Sequence, residues 1–150
     1  MVSRTLVKTV SFPARSKPHM LRVSPDGKEV WVQTAETDTN VVLSADDLSV
    51  LATQPTGKFP VTNAWTPDRR YSIITNGKDT IAQIFDAKTF KEVKRLTVGE
   101  GGTNIGFSKD GKTAFIALRD ANAVAVVDMQ KLAFEGRIAA GKEPQGLIVR

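Results

Sequence analysis

Short apolar runs and polar turns alternate along the whole chain, and the alternation has a fixed interval. The stretch VSPDGKEVWV begins at Val23 and sets a Ser-Pro-Asp-Gly turn ahead of an apolar run. WTPDRRYSII begins 42 residues later at Trp65, and FSKDGKTAFI another 42 later at Phe107. The same step relates Pro18, Pro60, Gly102 and Pro144, and it aligns the apolar columns Val42/Ile84/Val126 and Leu48/Phe90/Leu132 without a gap. A period in this range marks a repeat architecture, in which each unit is one supersecondary layer of a shared core.

Each unit reads as four short strands. In the second they are expected near residues 61–65, 71–75, 81–85 and 93–98, and in the third near 104–107, 114–118, 123–127 and 135–139. These runs are rich in Val, Ile and Phe and bounded by Gly, Pro, Asn and Asp, as strands are. In the turn, Pro presets a negative φ, Asp accepts a backbone hydrogen bond and Gly tolerates positive φ. Arg69 stands where the other copies have Gly27 and Gly111, so a strained turn is expected there. Asp86 and Asp128 are expected to cap a second turn, with Ser44 as a weaker counterpart. No window carries a helical period.

Four antiparallel strands per unit of this length predict a β-propeller blade. Continuous apolar runs such as VAVV and FIAL fit strands buried on both faces between neighbouring blades. The expected fold is all-β, a propeller of about three and a half blades within one segment over 1–150. It comprises an outer strand at 4–12, blades at 17–57, 58–99 and 100–141, and an inner strand at 142–150. Because rings close with roughly four to eight blades, the segment is expected either to belong to a larger ring or to be completed by self-association.

SPDGKEVWV, SKDGKTAFIA, VAVVDMQKL, IFDAKTFKEV and the Gly-x-x-Pro steps at Gly57–Pro60 and Gly141–Pro144 resemble the YVTN-type β-propeller repeat. That group includes surface-layer repeat proteins, lactonase-type propellers and the haem-bearing propeller of nitrite reductases. The tetrad itself survives as Ile74-Thr75-Asn76 in the second unit and is lost at Ile116-Ala117-Leu118 in the third. The resemblance implies a seven-bladed ring and an exported, periplasmic or extracellular parent.

Composition narrows the chemistry. With no cysteine, disulfides and thiolate metal sites are excluded, and the redox compartment stays open. The net charge of +5 is spread along the chain with no run beyond Arg69-Arg70, which reads as a solvated surface and not a nucleic-acid patch. No stretch approaches the ~20 apolar residues of a membrane span, and the N-terminal MVSRTLVKTVSFPARS does not read as a secretory signal. His19 is the one histidine, too few for a metal set or a Ser-His-Asp arrangement. VGEGGTN at Val98–Asn104 lacks the lysine and helix of a phosphate cradle and reads as a blade link. Trp31 and Trp65 read as core.

Radial symmetry brings one side chain per blade to the axis. The expected ligand-binding residues, ringing an axial mouth, are His19, Arg22, Asn63, Asn104 and Gln145, with the loop acids Glu36, Asp38, Asp79 and Asp120 nearby. The expectation is a non-catalytic binding or scaffold module with no cofactor and no bound metal. It would associate with itself through its terminal blades and hold a protein or small-molecule ligand. The alternative is part of a lactonase-like or haem-binding propeller enzyme.

Overall fold

The computed structural model describes residues 5, 6 and 8–149. Twelve strands form three four-stranded antiparallel sheets. Blade 1 holds β1 (Pro18–Val23), β2 (Glu29–Thr34), β3 (Thr39–Ser44) and β4 (Val50–Pro55). Blade 2 holds β5 (Pro60–Trp65), β6 (Tyr71–Asn76), β7 (Ile81–Asp86) and β8 (Glu92–Thr97), and blade 3 holds β9 (Gly102–Phe107), β10 (Thr113–Leu118), β11 (Ala123–Asp128) and β12 (Ala133–Ala139). Strand order in each sheet follows the chain, and the first strands β1, β5 and β9 are neighbours on the inner side. This is the stacking of propeller blades.

The backbone repeats as closely as the sequence. Lys17, Phe59, Gly101 and Glu143 all have left-handed φ (48°, 58°, 73° and 50°), as do Leu48, Phe90 and Leu132 (59°, 60° and 50°). In the turn before the second strand, Ser24 Oγ donates to Asp26 Oδ1 at 2.7 Å, and Asp26 Oδ1 accepts the Lys28 N–H at 3.2 Å. Thr66/Asp68 and Ser108/Asp110 repeat both bonds. Arg69 takes φ 63° where Gly27 has 77° and Gly111 has 71°. An L-residue there costs roughly 1–2 kcal/mol, partly offset by glycine's larger entropy loss on folding. Arg69→Gly is therefore expected to raise stability by about 0.5–1 kcal/mol, read as a higher urea midpoint at unchanged slope.

The capping aspartates carry a pH signature. Asp86 Oδ1 accepts the N–H groups of Lys88 and Thr89, and Asp128 Oδ1 those of Gln130 and Lys131. In blade 1 Ser44 Oγ accepts the Asp47 N–H at 3.4 Å, and Asp47 itself accepts the Ser49 N–H at 3.0 Å. The Ser49 N–H holds the Asp47 carboxyl down to about 2, and the Lys131 ammonium and N–H do the same to Asp128. Hydroxyl donors lower Asp26, Asp68 and Asp110 as well. A lowered carboxyl stabilises the fold above its unfolded value of about 3.9, and that contribution disappears as pH falls through the folded value. The melting temperature should be flat from about pH 7 to 5 and drop between about pH 4 and 2.

The core lies between blades. Trp31 and Val42 of blade 1 meet Ile74 and Phe85 of blade 2, and Ile73 and Ile84 on the other face of blade 2 meet Ile116 and Val127 of blade 3. Each contact is set by columns 42 apart. Val10 and Phe12 pack on Val32, Val41 and Leu43, the other face of blade 1.

Two expected strands differ. Within 4–12, residues 4 and 7 lie outside the described residues, and the others form no strand. Within 142–150, Arg150 lies outside them, and the rest forms no strand pairing. Leu147 and Val149 nevertheless press against Gly106 of β9, and the Thr103 hydroxyl donates to the Gln145 carbonyl at 3.2 Å. A lone segment without middle strands beside it has no ladder to join.

Candidate functional site

The inner strands share one irregularity. Pro18 pairs with Thr34 and Met20 with Gln33, leaving His19 without a partner. Pro60 pairs with Asn76 and Thr62 with Thr75, leaving Val61 out, and in blade 3 Thr103 and Asn104 together oppose Ala117. A bulge re-aims the side chains it carries. Here it recurs at the same place in each blade and turns that place toward one cavity.

The cavity is about 350 Å³, within the range of small-molecule pockets. His19, Val61, Thr103 and Gln145 line it at intervals of 42 residues. Met20, Thr62 and Asn104 form a second such row, and Gly77 and Arg119 a third, joined by Phe59 and Lys78. It is built from equivalent positions of successive blades.

Phe59 organises the cationic side. Its N–H donates to Asp38 Oδ1 at 2.9 Å, and Asp38 Oδ2 accepts the Lys58 ammonium at 2.9 Å. Burial raises the Asp38 carboxyl, but those donors outweigh it and hold the group below its ordinary value. The Phe59 ring carries Lys78 Nζ at 4.7 Å and Lys17 Nζ at 5.3 Å from its centre, with the His19 ring edge-on at 5.4 Å. Cations over an aromatic face are held there by its quadrupole. Lys17 is also paired with Glu36, whereas Lys78 has no carboxylate partner among the described residues. Arg119 forms a two-pronged pair with Asp120 at 2.7 and 3.0 Å, which raises the guanidinium and lowers the carboxyl.

His19 Nδ1 faces the Val61 carbonyl at 3.3 Å. A carbonyl only accepts, so Nδ1 is the donor in this contact, and in the neutral ring the lone pair then sits on Nε2.

Of the residues expected at the mouth, His19, Asn104 and Gln145 line the cavity. Arg22 stands one turn of the pleat further along β1 and donates from Nε to Thr62 Oγ1 at 3.3 Å, so it touches the wall and not the opening. Asn63 is fully buried between blades 1 and 2, accepting from Gln33 Nε2 at 3.1 Å and donating to Ser72 Oγ at 3.0 Å. Past the bulge the strand returns to its two-residue alternation, and residue 63 falls on the face that meets blade 1. Asp79 and Asp120 border a neighbouring groove with Glu100. Trp31 is wholly buried and Trp65 partly so. The sequence reading missed Phe59, Lys78 and Arg119; the 42-residue columns through Lys17, Ala35 and Glu36 point to them once the bulge is known.

No family model matches the sequence, and no curated protein matches it. Solved structures do. A Kuenenia stuttgartiensis hydrazine synthase chain superposes with a TM-score of 0.81 at 23% identity, over 94% of this chain and 41% of its own. A candidate 6-phosphogluconolactonase from Bacteroides uniformis gives 0.76 at 21%, over 91% and 44%. The periplasmic gluconolactonase PpgL of Pseudomonas aeruginosa gives 0.74 at 19%, over 91% and 43%. The chain thus spans about two fifths of these proteins.

One expectation is overturned. The lack of a recognisable triad predicts a module without catalysis, yet proteins named as lactonases share this arrangement of blades. A propeller can carry chemistry on residues contributed singly by its blades, which no local motif announces. Among the described residues no helix is long and apolar enough to cross a membrane. The chain has the fold of a β-propeller sector, shared with WD40-repeat chains.

Proposed function

We propose that this chain is a sector of a larger propeller whose axial mouth binds and hydrolyses a small, hydroxyl-rich lactone of the sugar-acid type. The observation that carries this reading is the cavity lined by His19, Thr62, Asn104 and Gln145 with Lys78 and Arg119 at its edge. Amide and hydroxyl groups suit a polyhydroxylated ring, and the cations suit an anionic substituent or a developing carboxylate. His19 Nε2 would take a proton from water as the oxygen bonds to the lactone carbonyl carbon. The ring C–O bond then breaks, and the leaving alkoxide recovers the proton from His19, giving the open hydroxy acid. The likeness to proteins named as lactonases supports the substrate class. The YVTN-type pattern and a periplasmic or extracellular parent belong to the same reading. The test is hydrolysis of glucono-δ-lactone in a pH-stat against the spontaneous rate. His19→Gln should abolish the enzymatic excess, and Lys78→Ala should raise KM about tenfold or more. No excess rate in the wild-type chain together with no binding of gluconate would end this reading.

A second reading concerns assembly. Phe115 and Val126 lie half-buried on the outer face of blade 3, in the columns that Ile73 and Ile84 fill against blade 3 itself. Leu21 and Val23 on β1 and Ile138 on β12 are more than half exposed, at 59%, 52% and 55%. We propose that a second copy covers these faces head to tail, repeating the internal contact. Light scattering over a concentration series should then show mass rising above the monomer; a monomer throughout would remove the idea.

A further inference from the structure

The two internal interfaces have the same geometry and opposite chemistry. Between blades 1 and 2 lie the buried side chains of Gln33, Asn40, Gln54, Asn63, Ser72 and Gln83. Moved on by 42, the same six positions between blades 2 and 3 are Thr75, Ala82, Leu96, Ile105, Ala114 and Ala125. One interface is therefore a polar chain. Gln33 Nε2 donates to Asn40 Oδ1 at 2.8 Å and to Asn63 Oδ1 at 3.1 Å, Asn40 Nδ2 to Gln54 Oε1 at 2.5 Å, and Gln54 Nε2 to the Phe90 carbonyl at 2.7 Å.

Three buried atoms of this interface lack a partner, one of them Asn76 Oδ1 on β6. Gln33 spends its amide hydrogens on two asparagines, and its Oε1 has no partner; the Trp31 indole Nε1 has none either. Both residues are fully buried. They stand two apart on β2 and so share the face turned to blade 2. One lone donor and one lone acceptor on a single face are what an internal water satisfies, and leaving both unpaired forfeits the hydration each would have in the unfolded chain.

We propose that the interface between blades 1 and 2 holds a buried water, accepting from Trp31 Nε1–H and donating to Gln33 Oε1. Their equivalents between blades 2 and 3 are Ile73 and Thr75, and the Thr75 hydroxyl already donates to the Thr103 carbonyl at 2.7 Å, so no such site arises there. The test is water-selective proton NMR on the uniformly 15N-labelled wild-type chain, with the Trp31 indole assigned through its backbone. The expected result is a cross-peak between water and the Trp31 indole proton, with the sign of direct dipolar transfer from a long-lived water. No cross-peak, or one with the sign of chemical exchange alone, would overturn it. In folded Gln33→Leu the dipolar cross-peak should be lost; its persistence would also count against the site. If that variant does not fold, the wild-type spectrum decides alone.

Discussion

Trp31→Ala is expected to lower stability by about 3–5 kcal/mol, the range for removing a large buried aromatic. Trp31 is wholly buried, and its ring meets Trp65, Phe85 and Phe90 edge-on at 5.6, 6.5 and 6.0 Å between ring centres. Those partners come from blade 2 and its β7–β8 turn, so the truncation opens a void where two blades join. The loss has two parts, the forfeited transfer of the indole from water and the cavity that rigid sheets cannot close. Small domains have only about 5–15 kcal/mol in total, so a large share of the molecules should unfold under mild denaturant. Urea unfolding measures it, with Val93→Ala, on a half-exposed outer strand, as the comparison. A loss for Trp31→Ala no larger than that for Val93→Ala would mean the blades do not stack as described.

Gly101→Ala should cost about 2–5 kcal/mol and disturb the mouth. Gly101 has φ 73°, but its counterparts Lys17, Phe59 and Glu143 show that this position accepts a side chain when there is room. At 101 there is none. A Cβ would lie 2.5 Å from the Asp120 backbone nitrogen and 2.7 Å from its carboxyl carbon. The Gly101 carbonyl also accepts the Arg119 N–H at 2.8 Å, so relief of the clash moves Arg119 and its pair with Asp120. Gly27→Ala is the control, since φ is left-handed there too, at 77°, and nothing lies within 4 Å of a Cβ. The urea midpoint should fall much further for Gly101→Ala than for Gly27→Ala; equal midpoints would contradict the close approach.

The blades were legible in the sequence because every level repeats together. Turn, strand and core contact all recur at 42 residues, so Trp31, Ile73 and Phe115 announce one structural place. The mouth was half legible. His19, Asn104 and Gln145 follow from asking which residues start each inner strand, whereas Asn63 fails because the bulge at Val61 shifts the alternation. Phe59 and Lys78 were hidden for another reason. Their columns contain Lys17 and Glu36 in blade 1 and Gly101 and Asp120 in blade 3, so only the folded chain shows that blade 2 supplies the aromatic platform. The terminal segments were placed by column but overstated as strands, since a strand exists only where a neighbour completes its ladder.

Under the proposed function, positions 42 apart line one cavity that takes a sugar acid. The most direct test is a 15N–1H NMR titration of the chain with gluconate and with 6-phosphogluconate. Saturable shifts are expected at His19, Val61, Thr103 and Gln145, with Lys78 and Arg119 moving alongside them. Shifts absent at saturating ligand, or confined to the turns around Asp26, Asp68 and Asp110, would contradict it.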